Sequence, residues 1–370
     1  MDLSTTQQAF HEQVRDFAQR EVKPRAAAID AEESFPQDLV ARMAELGLMG
    51  IPYPQEVGGA GLDTVCYALA VEEISRACGS TGLTLAAHTS LGTNPIYQFG
   101  TPEQKARWLP ELCRGHTLGA FGLTEPSAGS DAGGTRTFAA HDAEGWLVNG
   151  AKMWITNAAY ADVLIITALT DRERREISCF LVEKGTPGYV IGPAEKKLGL
   201  RGSDTHALTF EQLRLPEEAL LGQPGKGFQQ MLQTLDGGRI SIGAMALGLA
   251  QGALDEILEI FRGVNLRQSH AFFVADMATR IQAARHLVYD AARSKDAGRD
   301  YAVAASMAKL FASEAASWCA DRAIQIMGAE GYTRARASER IWRDAKLCEI
   351  GEGTSEIQRL VISRRLLEVR

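Results

Sequence analysis

The chain has 370 residues, 45% hydrophobic and 23% charged, with 39 basic and 46 acidic side chains. That length buries ample core without staples, so two or three domains are expected; a net charge of −7 argues against a nucleic-acid or anionic-membrane surface. The six cysteines (66, 78, 113, 179, 319, 348) form no CxxC pair, as suits buried thiols in a reducing, cytoplasmic compartment rather than a zinc or disulfide framework.

The chain opens on MDLSTTQQAFHEQ, which lacks the basic flank and apolar core of a secretory signal. Residues 1–118 read as helices. Ser4 with Gln7 makes a capping box, and Phe10, Val14 and Phe17 share one face until Pro24. Pro36 sits at a first helical position before Leu39, Val40, Met43 and Leu46, and Gly47 ends that run. A Gly-rich connector spans 56–61, and Thr101-Pro102-Glu103-Gln104 is a second capping box. From 119 to 223 short β-rich runs (163–166, 177–182, 205–215) alternate with Gly, Pro, Asp and Asn clusters, and no helical pattern intervenes. An antiparallel barrel or sandwich is therefore expected. From 224 to 370 long helices return. The longest apolar stretch, 240–254, is too short for a membrane span and is broken by Ser241 and Gln251. Met277, Ile281, Ala284, Val288 and Ala291 form a bundle seam, Met307, Leu310, Phe311 and Trp318 mark the next helix, and Ser355 with Gln358 caps the last.

Several chemistries are excluded by residue. No GxGxxG follows a strand, and Gly225-Lys226-Gly227 lacks the rest of a phosphate loop. Arg15 stands where the second His of a zincin would follow His11-Glu12, and Ala128 replaces the first Gly of a nucleophile elbow. The seven His are dispersed, so no metal site is read.

Three segments carry a signal. Residues 122–131 (GLTEPSAGSD) gather hydroxyls and backbone amides where the first helical part meets the β part; such a turn can bind a polar or anionic ring, or be an ordinary loop. Lys152-Met153-Trp154-Ile155-Thr156-Asn157 places an aromatic within a strand, as a core residue or a stacking platform. In Ile350-Gly351-Glu352-Gly353-Thr354-Ser355 a carboxylate lies between two glycines before a helix N-terminus. Glycines let the backbone approach a ligand, and the helix end favours the ionised acid; a capping or surface acid is the alternative.

Together with RGSDT (201–205), GLAQGALD (248–255), ASMAKLFASE (305–314), QIMGAEGYT (325–333) and EGTSEIQRLVISR (352–364), these segments resemble the acyl-CoA dehydrogenase family over essentially the whole chain. The resemblance implies an α+β fold: an N-terminal helical domain, a central antiparallel β domain and a C-terminal four-helix bundle. It implies removal of two hydrogens from Cα and Cβ of an acyl-CoA thioester, with FAD taking the hydride and electron-transferring flavoprotein receiving the electrons. Glu352 matches the base that takes the α-proton; where some members carry the base on an earlier helix, this chain has Gly238. The same match assigns Phe121, Leu123, Thr124, Gly129, Ser130, Trp154, Ile155 and Thr156 to the flavin. Gln268, Gln325, Gly328, Thr354 and Glu356 are assigned to the rest of FAD, some across a subunit contact of a homo-oligomer, a tetramer. Ser130, Ser203, Asp236, Arg239 and Gly353 are assigned to the acyl-CoA, Ser203 being equally a turn residue beside Asp204.

Two departures stand out. Gly351 replaces the Tyr usual before the catalytic Glu, which frees space beside Cα and Cβ for a short, branched or bulky acyl group unless a neighbour fills it. Between Asp255 and Gln268 roughly seven residues, about two helical turns, are missing, and with them an Arg that grips the FAD pyrophosphate. Either FAD is held more weakly, or the native polypeptide carries a segment the sequence lacks; an intact mass of 40.1 kDa would establish the shortening. The rival readings are an acyl-CoA oxidase passing electrons to oxygen and a flavin-poor, non-catalytic subunit. A nitroalkane oxidase-like activity is disfavoured, because those relatives have Asp where this chain has Glu352.

Overall fold

The computed structural model describes residues 3–368. The N-terminal helices are α1 (Thr5–Phe17), α2 (Ala26–Glu32), α3 (Gln37–Glu45), α4 (Thr64–Ala77), α5 (Gly79–Ala87), α6 (Asn94–Phe99) and α7 (Pro102–Arg114). Both expected capping boxes form, at Ser4 and Thr101. Pro24 does not end the first helical run: the chain passes through a π turn (18–22) and a 3₁₀ turn (23–25) straight into α2. Pro24 stands at the start of its own turn, where a missing N–H costs no hydrogen bond. Pro36 caps α3 from outside instead of being its first helical residue.

The strands are β1 (Gly119–Gly122), β2 (Phe138–Asp142), β3 (Gly145–Thr156), β4 (Val163–Asp171), β5 (Glu176–Glu183), β6 (Tyr189–Ala194), β7 (Thr205–Leu215) and β8 (Leu220–Leu221). They form one sheet in the order β6-β7-β3-β2-β4-β5-β8, with β1 beside β4. Most pairs are antiparallel, but β1 runs parallel to β4, Gly119 opposite Val163, and a single parallel bridge joins Phe138 to Leu169. The reason is topological: β1 arrives from α7 and reaches β4 only through the intervening β2–β3 hairpin, so no tight turn dictates its direction.

The C-terminal helices are α8 (Gly227–Ile260), α9 (Gln268–Asp296), α10 (Ala302–Met327), α11 (Ala337–Ile350) and α12 (Ser355–Leu366). The predicted seam of α9 is buried throughout, from Met277 to Ala291. On α10 the packed face is not the one expected. Met307, Leu310, Phe311 and Trp318 are only half-buried, and Ala305, Ala308, Ala312, Ala316, Cys319 and Ala323 form the contact. Small side chains allow close helix approach: a Cβ on Gly243 of α8 would come within 3.5 Å of the Ala308 backbone. The cap of α12 is Thr354, whose hydroxyl accepts from the Ile357 N–H at 3.3 Å. Ser355 is therefore the first helical residue, and Gln358 turns away to the Gly353 carbonyl at 3.0 Å.

One continuous apolar core joins α1–α5 to α8–α11, while the sheet has its own around Trp146, Phe180 and Phe210. A third cluster lies at the junction, where Phe121, Val163, Ile165 and Leu181 of the sheet meet Ile96, Leu109 and Met231 of the helices. Two further contacts lock this junction. A Cβ on Gly92 would lie 2.4 Å from the Gly119 carbonyl carbon, so the π turn 88–93 and β1 touch backbone to backbone. Fully buried His88 accepts the Gly119 N–H at Nδ1 (3.2 Å) and donates from Nε2 to the Leu112 carbonyl (3.0 Å). Burial pushes its pKa down to about 4, so it stays neutral and joins α7 to β1.

Candidate active site

Glu352 lies between α11 and α12, where the chain must reverse direction. Gly351 ends α11 by donating to the Leu347 carbonyl at 2.8 Å, and Glu352 and Gly353 then both adopt positive φ, 52° and 93°. A non-glycine residue in this region is strained unless its surroundings hold it. Here buried Gln358 donates to the Gly353 carbonyl, and fully buried Lys309 of α10 donates to the same oxygen at 2.6 Å. The turn swings the Glu352 carboxylate inward onto α8. A Cβ on Gly238 would stand 2.0 Å from Glu352 Oε2, so glycine there is a steric condition for the carboxylate's placement. Oε2 is buried without a hydrogen-bond partner. Burial pushes the Glu352 carboxyl up to about 7, opposed by the positive charges of Lys309 and Arg239. A carboxylate so placed is a base near neutral pH with a free lone pair for an incoming proton.

The second part of the site is built where β1 ends. Met153 N–H donates to the Thr124 carbonyl (2.8 Å), joining the 122–131 loop to β3. Below it, buried Lys152 donates to Glu125 (2.8 Å), the Leu123 carbonyl (3.1 Å), Thr167 Oγ1 (3.0 Å) and Thr135 Oγ1 (3.3 Å). Glu125 also accepts the Arg136 and Thr137 N–H groups. The pair is electrostatically closed: Glu125 is driven down to about 2 against its burial, chiefly by Lys152, and burial brings Lys152 down to about 8. The β3–β7 register slips between Lys152 and Ile155. In that slip Trp154 takes φ 62° and turns its ring outward, 54% exposed. Trp154 is thus a free aromatic face and not a core residue.

The predicted residues fall into several groups. Thr124, Gly129, Ser130, Trp154 and Thr156 line the open rim of this second part, Gly129 with nothing within 4 Å of a Cβ position. Phe121 and Ile155 are core side chains and Leu123 packs half-buried against the junction core, so these three offer only backbone to the rim. Asp236 and Arg239 stand on α8 beside Gly238. Arg239 is buried, bonded to Asp236 and, at 3.3 Å, to Ser306, with its Nε unpartnered. Ser203 is buried with an unpartnered Oγ in the 200–204 turn, which meets the end of β3 through Asn157 N–H to the Asp204 carbonyl (3.0 Å).

Thr354 flanks Glu352 as a cap, with Glu356 exposed in the first turn of α12. Gln325, Gly328 and Gln268 are exposed elsewhere; Gln325 is sixteen residues beyond Lys309 on α10, ~24 Å along the helix, so the fold does not gather these three around Glu352. Three contributors carry no signal of their role in the sequence: Lys309 and Lys152 look like ordinary surface lysines in an α and a β pattern, and Gly238 shows only the lack of an acid. Among the described residues no cluster of His, Cys, Asp and Glu could hold a metal ion, and no helix is long and apolar enough to cross a membrane.

Three family profiles cover the chain in order: acyl-CoA dehydrogenase N-terminal domain over 4–116, middle domain over 120–213 and C-terminal domain over 225–367. The chain is 46% identical to a short-chain specific acyl-CoA dehydrogenase of Clostridium acetobutylicum, covering 99% of both. It superposes with a TM-score of 0.97 and 43% identity, over 99% of both chains, on a chain from the structure described as electron transferring flavoprotein of Acidaminococcus fermentans. Butyryl-CoA dehydrogenase from Megasphaera elsdenii gives 0.96 and 39%, again over 99% of both chains.

Proposed function

Because the chain belongs to the acyl-CoA dehydrogenase family, we propose that it oxidises a short-chain acyl-CoA to the trans-2-enoyl-CoA with Glu352 as its base. The observation that carries this reading is the Glu352 carboxylate itself: half-buried with Oε2 enclosed and unpartnered, raised to about 7, and seated against a glycine. Glu352 takes the α-proton as the β-hydrogen leaves with its electron pair, so the Cα–Cβ bond becomes double and the atoms balance. Bound FAD supplies the acceptor for that hydride. The residues present fit such a group: the 123–130 loop exposes hydroxyls and amides without positive charge, and Trp154 presents a free ring beside it. Thr124, Ser130 and Thr156 would hold the flavin, and Asp236, Arg239, Ser203 and Gly353 the thioester and its carrier.

An exposed Trp154 gives an electron-transferring flavoprotein an aromatic surface to approach. Exposed Gln268, Gln325 and Gly328, too distant from Glu352 of their own chain, fit contacts to FAD of a neighbouring copy in a tetramer. A branched acyl group is the second reading. A Cβ on Gly351 would find its nearest neighbour, Leu347, at an ordinary 3.5 Å, so side-chain room remains there.

The test is turnover of butyryl-, isovaleryl-, octanoyl- and phenylpropionyl-CoA, followed by flavin bleaching, with electron-transferring flavoprotein or oxygen as acceptor. Butyryl-CoA is expected to be preferred. Preference for octanoyl-CoA would sink the short-chain reading, and peroxide formation without the flavoprotein would make the protein an oxidase.

A further inference from the structure

Lys309 stands in the first half of α10 with no exposed surface, on a helix face otherwise made of small side chains, alanines with Ser306 and Ser313. Burying an ammonium is costly unless it is paired, yet among the described residues no carboxylate comes within 4.0 Å of it. Its recorded bond is to the Gly353 carbonyl at 2.6 Å. That carbonyl is already held by Gln358 Nε2 at 3.0 Å, so a hydrogen bond alone does not account for a lysine here. What Lys309 adds is charge, fully buried and held one residue away from Glu352.

We propose that Lys309 is a positioning residue for the base: its ammonium fixes the left-handed turn through Gly353 and supplies the buried positive charge that ionised Glu352 faces. This rests on the dehydrogenase reading of Glu352. The surroundings from each packed element agree. From α8 come Arg239, whose charge is shared with Asp236 and Ser306, and Gly238, which contributes no charge. From α4 comes Tyr67, held neutral by burial, and Tyr301, before α10, is likewise raised to about 12. From α11 come Cys348, whose thiol burial raises to about 12, and Glu349, which is paired with Lys346. Of the two cations that oppose the burial of Glu352, Lys309 has the larger effect. Arg239 is partly neutralised by its own aspartate. Burial brings Lys309 itself down to about 8, so it is charged at the pH where Glu352 must ionise.

The test compares Lys309→Met and Lys309→Gln, which remove the charge, with Lys309→Arg, which keeps it. Two readouts are followed against pH: the carboxylic-acid C=O infrared band lost in Glu352→Gln, on protein without substrate, and the acid limb of kcat/KM with the best acyl-CoA. Without the charge both midpoints should rise by about one pH unit, and kcat/KM at pH 7 should fall roughly fivefold; Lys309→Arg should restore both. Lys309→Gln, closest in polarity, serves if the Met variant does not fold. An unmoved infrared midpoint in the charge-removing variants would overturn the proposal and leave Lys309 a packing residue. If no acyl-CoA is turned over by the unaltered protein, the dehydrogenase reading fails, while the infrared titration still decides the role of Lys309.

Discussion

Glu352 is stabilising for chemistry and destabilising for the fold. Its carboxyl is raised to about 7 by burial against 4.3 or so in an unfolded chain. Between those values the folded state holds a proton that the unfolded state has released, so this group's contribution to stability falls as pH rises from about 4.5 to 7 and is level above. Glu352→Gln should therefore abolish turnover, by on the order of 10³-fold or more. The same change should make the protein more stable above pH 7, by on the order of 2 kcal/mol, with little gain at pH 4.5. Urea unfolding at the two pH values checks this, and equal gains at both would show that the carboxyl is not perturbed. Gly238→Ala tests the seat of the carboxylate. A Cβ there would stand 2.0 Å from Oε2, so the carboxylate must shift by about 1 Å, and kcat should fall ~10²-fold. Fold stability should change far less, which far-ultraviolet melting would show. Glu352 was legible in the sequence because two glycines around an acid before a helix are unusual. Gly238 was not, because what a glycine makes room for comes from a segment more than a hundred residues away.

At the scale of elements, the determining device is a slip in β3. A strand's period of two would bury Trp154 or expose it by parity alone; the irregularity between Lys152 and Ile155 lets Lys152 and Ile155 stay inside while Trp154 turns out. Sequence alternation cannot show such a slip, since it consists of one residue that leaves the ladder. The buried Lys152–Glu125 pair beneath it anchors the 122–131 loop from two sides. Removing one partner leaves an uncompensated charge, so Lys152→Met should cost about 3–5 kcal/mol. Lys152→Met with Glu125→Gln should recover part of that loss in denaturant titrations. If the double variant is no better than the single, the Coulomb attraction is not what holds the loop. The bundle was legible to different degrees for a similar reason. The large apolar seam of α9 declares itself, whereas on α10 half-buried Met307, Phe311 and Trp318 outshine the alanines that make the contact.

At the scale of the molecule, sequence texture divides the chain into α, β and α parts, but packing joins the first and third through one core. Residues 1–118 produced alone should then lack the partners of α4 and α5 and show no cooperative thermal transition. The intact chain should show a single cooperative one. A sharp transition in the fragment would mean that the N-terminal helices are self-sufficient. The α8–α9 connection is a short, largely exposed turn, 261–267.

The contact between Gly92 and Gly119 bears on ancestry as well as on shape. Where two backbones touch with no side chain between them, neither partner can drift alone: a methyl group on either meets main chain, which cannot step aside by changing rotamer. A β domain transplanted from a relative would therefore seat only if it brought a glycine at the 119 position. Recombination across this boundary is filtered by one missing atom on each side, long before any ligand is bound.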